Sequence, residues 1–150
     1  MNVKKYLGQA YYLNQKIISN KRRLEELKEM ANSADIAELS GIRVKTSRKA
    51  DKTGDLVAKI VDFEAETASK IRDCRDMLDT IEKQIDSLDD AKLKTLLMKR
   101  YMFFCTWGEI AVDMETLNNK KPYSEKQITR LHAQALEEFE KKFGNVLECL

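Results

Sequence analysis

One proline and five glycines in 150 residues leave few places where a helix must stop. Proline removes a backbone donor and clashes with the preceding turn, and glycine adds backbone freedom, so their scarcity points to long helices. Aromatic residues are only 7 % of the chain against 35 % charged, which implies a thin core and an elongated shape. No apolar run approaches the roughly 20 residues that cross a bilayer, and no signal peptide opens the chain, so a membrane is not an expected partner. The three cysteines, Cys74, Cys105 and Cys149, are an odd number without CxxC spacing. They fit a reducing cytoplasm and argue against a disulfide framework or a zinc site. There is one histidine, His132, beside Leu131 and Ala135, where it is expected to pack or to touch phosphate. No Ser/His/Asp set, Gly-rich phosphate loop or metal-ligand cluster is written in the chain. Adjacent acids such as Glu137 and Glu138 point to different sides of a helix and do not converge. Neither an enzyme nor a cofactor is expected.

What the sequence does have is charge in blocks. Residues 1–54 carry 12 basic and 6 acidic side chains, and residues 55–90 carry 5 and 11. A basic arm followed by an acidic arm suggests two helices that pair. The apolar spacing agrees. Val3, Tyr6, Ala10, Leu13, Ile17, Asn20, Leu24, Leu27, Ala31 and Ala34 alternate steps of three and four, the seam of a coiled coil over residues 2–38. Leu56, Ile60, Phe63 and Thr67, then Ile71, Cys74, Leu78, Ile81, Ile85 and Leu88, make a second seam over residues 55–89. An extra residue between Thr67 and Ile71 forms a stutter. Residues 40–54, SGIRVKTSRKADKTG, are polar and Gly-bounded and predict a flexible loop, whose basic side chains make it a candidate phosphate contact. The two helices are expected to fold back as an antiparallel hairpin.

A third helix is expected from about Asp90, with Leu93, Leu96, Leu97, Tyr101 and Phe104 on one face. Two helix starts follow. Thr106-Trp107-Gly108-Glu109 and Ser124-Glu125-Lys126-Gln127 both fit the capping box, Ser or Thr followed three residues later by Glu or Gln. Trp107, Ile110, Ala111 and Met114 recur at helical spacing after the first, which predicts a buried Trp107. Ile128, Leu131, Ala135, Leu136 and Phe139 do so after the second, with Gly144 as the natural stop. The opposite face of that last helix starts with Lys126, Gln127, Thr129 and Arg130, donors suited to bases and phosphates. The connection 115–123 carries Lys120 and Lys121 and is longer than the three- or four-residue turn usual between such helices.

In Leu96–Tyr101, Thr106–Ala111 and Ser124–Leu136 the chain resembles the promoter-reading C-terminal domain of bacterial sigma factors. Its RY, WxEIA and LHxxAL pieces, with KIVDFEAE in the preceding arm, are similar to phage and prophage late-gene transcriptional activators of the RinA and ArpU type. The resemblance implies sequence-specific binding of double-stranded DNA and regulation of transcription in the bacterial cytoplasm, with RNA polymerase a candidate partner. Carried over by position, Lys126, Gln127 and Arg130 are the base-reading candidates and Glu125 a candidate acceptor from cytosine. Lys120, Lys121, Ser124, Thr129 and Gln134 complete the expected DNA-binding set. The turn 115–123 departs from the family, which has a short one.

The expected architecture is therefore all-α. A hairpin arm over residues 1–90 serves oligomerisation or docking, and residues 91–150 form a sigma region 4-like helix-turn-helix. Homo-oligomers are expected. Two other readings fit the same pattern: a small terminase-like phage packaging protein, and a helical interaction protein without DNA binding.

Overall fold

The computed structural model describes residues 2–39 and 47–147. Among them the chain is helical throughout, without a strand. Five α-helices follow in order: α1 Val3–Leu39, α2 Ser47–Asp86, α3 Ala91–Leu97, α4 Trp107–Asp113 and α5 Glu125–Leu147. A π-helical turn, Met98–Met102, extends α3, and a 3-10 turn, Glu115–Asn118, follows α4. No described helix is long and apolar enough to cross a membrane.

The expected loop 40–54 is helical from Ser47 onward. Its Arg, Lys and Ala residues are good helix formers, and they carry the helix backwards past Gly54. Residues 40–46, with the candidate phosphate contacts Arg43 and Lys45, lie outside the described residues, as does Cys149.

The chain forms two compact units, Gln15–Arg75 and Met1–Asn14 with Asp76–Leu150. In the first, α1 and α2 lie side by side. The Arg23 guanidinium sits 5.3 Å over the Phe63 ring, and Lys28 pairs with Glu64 at 2.8 Å. Ile17, Thr67 and Cys74 are buried along the expected seams, with Leu24, Leu27, Phe63 and Ile71 half-buried. Ile18, Met30, Val57 and Val61 remain exposed. Two helices enclose little apolar surface, so this unit has a narrow core.

The second unit holds the main core, and it crosses the boundary expected at residue 90. Val3, Tyr6, Leu7 and Ala10 of α1 and Ile81, Ile85 and Leu88 bury with Leu96 and Leu97, with Ile110 and Met114, and with Ala135 and Phe139. The Tyr6 hydroxyl donates to Gln84 Oε1 at 2.8 Å. Asp90 caps α3, its Oδ1 accepting from the Lys92 and Leu93 amides at 2.8 and 3.2 Å. The chain then widens by one residue per turn, with the Phe103 amide bonded to the Met98 carbonyl at 3.1 Å. Phe104 follows in the left-handed region, φ 57°, and its half-buried ring meets Tyr11 edge-on at 5.5 Å. Tyr101 is thereby turned into the core while Phe103 is left outside. At the other end α5 does not stop at Gly144 but runs on to Leu147. Leu147 is 2 % exposed, and burying it repays the loss of helix propensity at one glycine.

Candidate nucleic-acid interface

Both capping boxes form. The Glu109 amide donates to Thr106 Oγ1 at 3.3 Å, and the Thr106 amide to Glu109 Oε2 at 2.7 Å. The Gln127 amide donates to Ser124 Oγ at 3.3 Å, and the Ser124 amide to Gln127 Oε1 at 2.9 Å. α4 and α5 pack against each other and on α3 and its π turn. Tyr123 is buried between the connection and α4, with its amide donating to the Ala111 carbonyl at 3.3 Å.

The connection is a shaped protrusion. Asn119 (φ 55°, ψ 40°) and Lys120 (φ 60°) are both left-handed, and the Lys121 amide closes onto the Asn118 carbonyl at 3.2 Å. Two successive positive φ values define a type I′ turn, which Asn tolerates and Lys resists. The turn holds Lys120 and Lys121 exposed, without an ion-pair partner among the described residues. Replacing Lys120 by glycine should release the backbone strain and stabilise the fold by about 0.5–1 kcal/mol. Thermal melting checks this, and a lower midpoint would show that the left-handed lysine is not strained.

α5 buries Ile128, Ala135 and Phe139 and leaves Lys126, Arg130, Gln134 and Glu137 exposed on the other side. Lys126 and Arg130 also have no ion-pair partner among the described residues, whereas Lys94 and Lys99 are paired with Asp86 and Asp113. Of the other expected contacts, Ser124, Gln127 and Thr129 are engaged locally, and Gln134 is exposed. The Thr129 hydroxyl donates to the Glu125 carbonyl at 2.9 Å, and the Ser124 hydroxyl is held by the cap. The Gln127 amide is engaged as well. Its oxygen accepts from the Ser124 amide, and a bidentate contact to adenine would use the same oxygen together with the amide nitrogen. Lys126 and Arg130 are the exposed basic side chains of the first two turns.

Trp107 is a correction to the burial expected of it. It is 37 % exposed, not core. The Arg100 guanidinium lies 4.3 Å from its ring centroid, and His132 meets it nearly edge-on at 4.9 Å. Helical spacing placed the indole on the inner side of α4, but Arg100 arrives from the π turn and supports the ring from its face. Arg100 also donates to the Cys105 carbonyl at 3.0 Å. The His132 Nε2 and the Tyr101 hydroxyl share a hydrogen bond of 3.0 Å. Burial, then the charges of Lys4 and Arg100, push the His132 pKa down from 6.5 to about 4, and burial raises that of Tyr101. Sequence reasoning had no signal for this cluster beyond the isolated His and Trp.

The His132 shift sets a pH dependence. An unfolded chain takes up the imidazole proton below about pH 6.5, and the folded chain does so only near pH 4. Stability from this group is therefore complete above pH 6.5 and lost as pH falls toward 4. Allowing for solvent screening of a half-buried ring, the loss is about 1–2 kcal/mol. Urea melts of wild type and His132→Gln at pH 7 and 4.5 should show a smaller pH loss in the variant. Equal losses would remove His132 as the cause.

Among the described residues no group of three or more His, Cys, Asp or Glu side chains could hold a metal ion, and Cys74 and Cys105 are free thiols. No protein-family model, curated protein or solved structure matches the chain.

Proposed function

We propose that the chain is a sequence-specific DNA-binding regulator of transcription in the bacterial cytoplasm, of the phage late-gene activator kind, and not an enzyme. α4 and α5 act as a helix-turn-helix with α5 in the major groove. The observation that carries this reading is the outer side of α5, where Lys126 and Arg130 stand unpaired in the first two turns beside the projecting Lys120 and Lys121. The N-terminal turns of a recognition helix are the part that reaches base edges. Lysines on a neighbouring turn suit the phosphate backbone, which supplies salt-dependent affinity without sequence information.

The α1–α2 pair acts as an antiparallel hairpin through which copies assemble. Exposed Ile18, Met30, Val57 and Val61 on a two-helix unit with a narrow core support this role. RNA polymerase is a further partner on this reading.

Selection of bound sequences from a random duplex pool by the full chain, followed by titration at several salt concentrations, tests the proposal. Enrichment of one motif, bound more weakly as salt rises, is the expected result. Binding without enrichment, or none at low salt, overturns it.

A further inference from the structure

Trp107 is a large aromatic side chain on the surface, braced by two neighbours, with no part in the reading of bases by α5. It lines a cleft of about 370 Å³ together with Lys4 of α1 and Glu125, Ile128, Thr129 and His132 of α5. We propose that this cleft holds a phosphodiester of the duplex that α5 engages, which makes the first turn of α1 part of the DNA interface. The proposal rests on the DNA reading above and extends it to a helix otherwise assigned to assembly.

Position is the first argument. Successive residues of an α-helix lie about 100° apart around the axis, from 3.6 residues per turn. With Arg130 directed at base edges, Thr129 faces the wall of the groove. A major groove is about 12 Å wide and a helix about 10 Å across, so the helix flank meets the phosphates of that wall. The cleft opens on that flank, since Thr129 and Glu125 are in its lining.

Charge and chemistry are the second. Lys4 has no carboxylate partner among the described residues, and Arg100 hydrogen-bonds a backbone carbonyl. The charges acting on the His132 ring are both positive, Lys4 and Arg100. The indole N–H of Trp107 has no hydrogen-bond partner among the described residues. A cation, a free N–H and a flat apolar ring together match a phosphate and its attached sugar. The guanidinium over the indole fixes that ring before any ligand arrives. Glu125 is the one acid of the lining, and it weakens the site.

The chain holds one tryptophan and one histidine, so Trp107 emission and the His132 resonances are unambiguous reporters. The test titrates the full-length protein with a mixed-sequence duplex and, separately, with inorganic phosphate. Duplex binding is followed by anisotropy of a labelled strand and by Trp107 emission. The expected result is a change of Trp107 emission and a raised His132 pKa on duplex binding. Lys4→Ala should suppress both and reduce the salt slope by about 0.9, the value for one phosphate contact. Lys4→Arg should restore them, exposed Lys5→Ala should leave them unchanged, and Glu125→Gln should tighten binding. Duplex bound with Trp107 emission unmoved, or with the Lys4→Ala slope unchanged, overturns the inference and leaves the DNA reading standing. No duplex bound at all overturns both. A Lys4-dependent response to inorganic phosphate but not to duplex overturns the assignment to the DNA backbone.

Discussion

Replacing Leu7 by alanine is expected to destabilise the C-terminal helices by about 2–5 kcal/mol, the range for emptying a fully buried leucine site. Leu7 belongs to the N-terminal arm by sequence, yet it is 0 % exposed in the core that contains Ile110 and Phe139. The cavity would open in the core that α4 and α5 share with the arm. Trp107, in α4, therefore reports the loss, and a denaturant titration followed by its emission should shift to lower midpoint. The neighbouring exposed Lys5→Ala should change the midpoint little. A Leu7→Ala protein whose Trp107 transition matches wild type would show that the C-terminal helices stand without α1. The same logic predicts that a fragment beginning near residue 90 loses the α1 side chains from its core, so it is a poor vehicle for DNA-binding measurements.

Arg130→Ala should weaken binding to the selected duplex by about 1–3 kcal/mol, roughly five- to 150-fold, with little change on unrelated DNA. Its guanidinium is exposed and unpaired in the second turn of α5, so removing it disturbs no internal contact. Lys121→Ala should weaken both duplexes alike, and its log–log salt slope should fall by about one. Fluorescence titrations against specific and scrambled duplexes at several salt concentrations separate the two behaviours. Equal weakening of both duplexes by Arg130→Ala would mean that it touches only phosphate, and the pose of α5 would be wrong. Gln127→Glu keeps an oxygen for the Ser124 amide and should preserve the cap, which makes it the proper probe of that position.

The features legible from sequence were those that local chemistry determines. The two seams marked Ile17, Thr67, Cys74 and Ile81 as inward because a period of three and four residues needs no knowledge of the partner. Both capping boxes were legible because donor and acceptor are three residues apart. The features that were not legible depend on distant groups. Leu7 lies outside the α1 seam of threes and fours, and nothing in that spacing signals its full burial in a core with the C-terminal helices. The exposure of Trp107 depends on Arg100, seven residues earlier and placed by a π turn that no sequence pattern announced. Gly144 carries a stop signal that the burial of Leu147 overrides, and Gly54 marked a loop that the helix formers around it do not honour. In the site, Gln127 was legible in two roles at once, and the hydrogen bond from Ser124 shows the capping one.

Glu137 lies on the same exposed side of α5 as Lys126 and Arg130, one turn beyond Ala133 and Gln134. On the proposed reading its carboxylate would meet phosphates if the helix lay deeper along a groove, so the stretch that reads bases ends at Gln134. From Lys126 to Gln134 the helix rises about 12 Å. At about 3.4 Å per base pair that spans three or four pairs. A word of four letters recurs by chance about once in every 256 positions, far too often to mark one promoter in a genome. On the proposed reading, a single copy is therefore nearly illiterate. Recognition has to come from several short words read together, their separation set by the spacing of copies in the assembly.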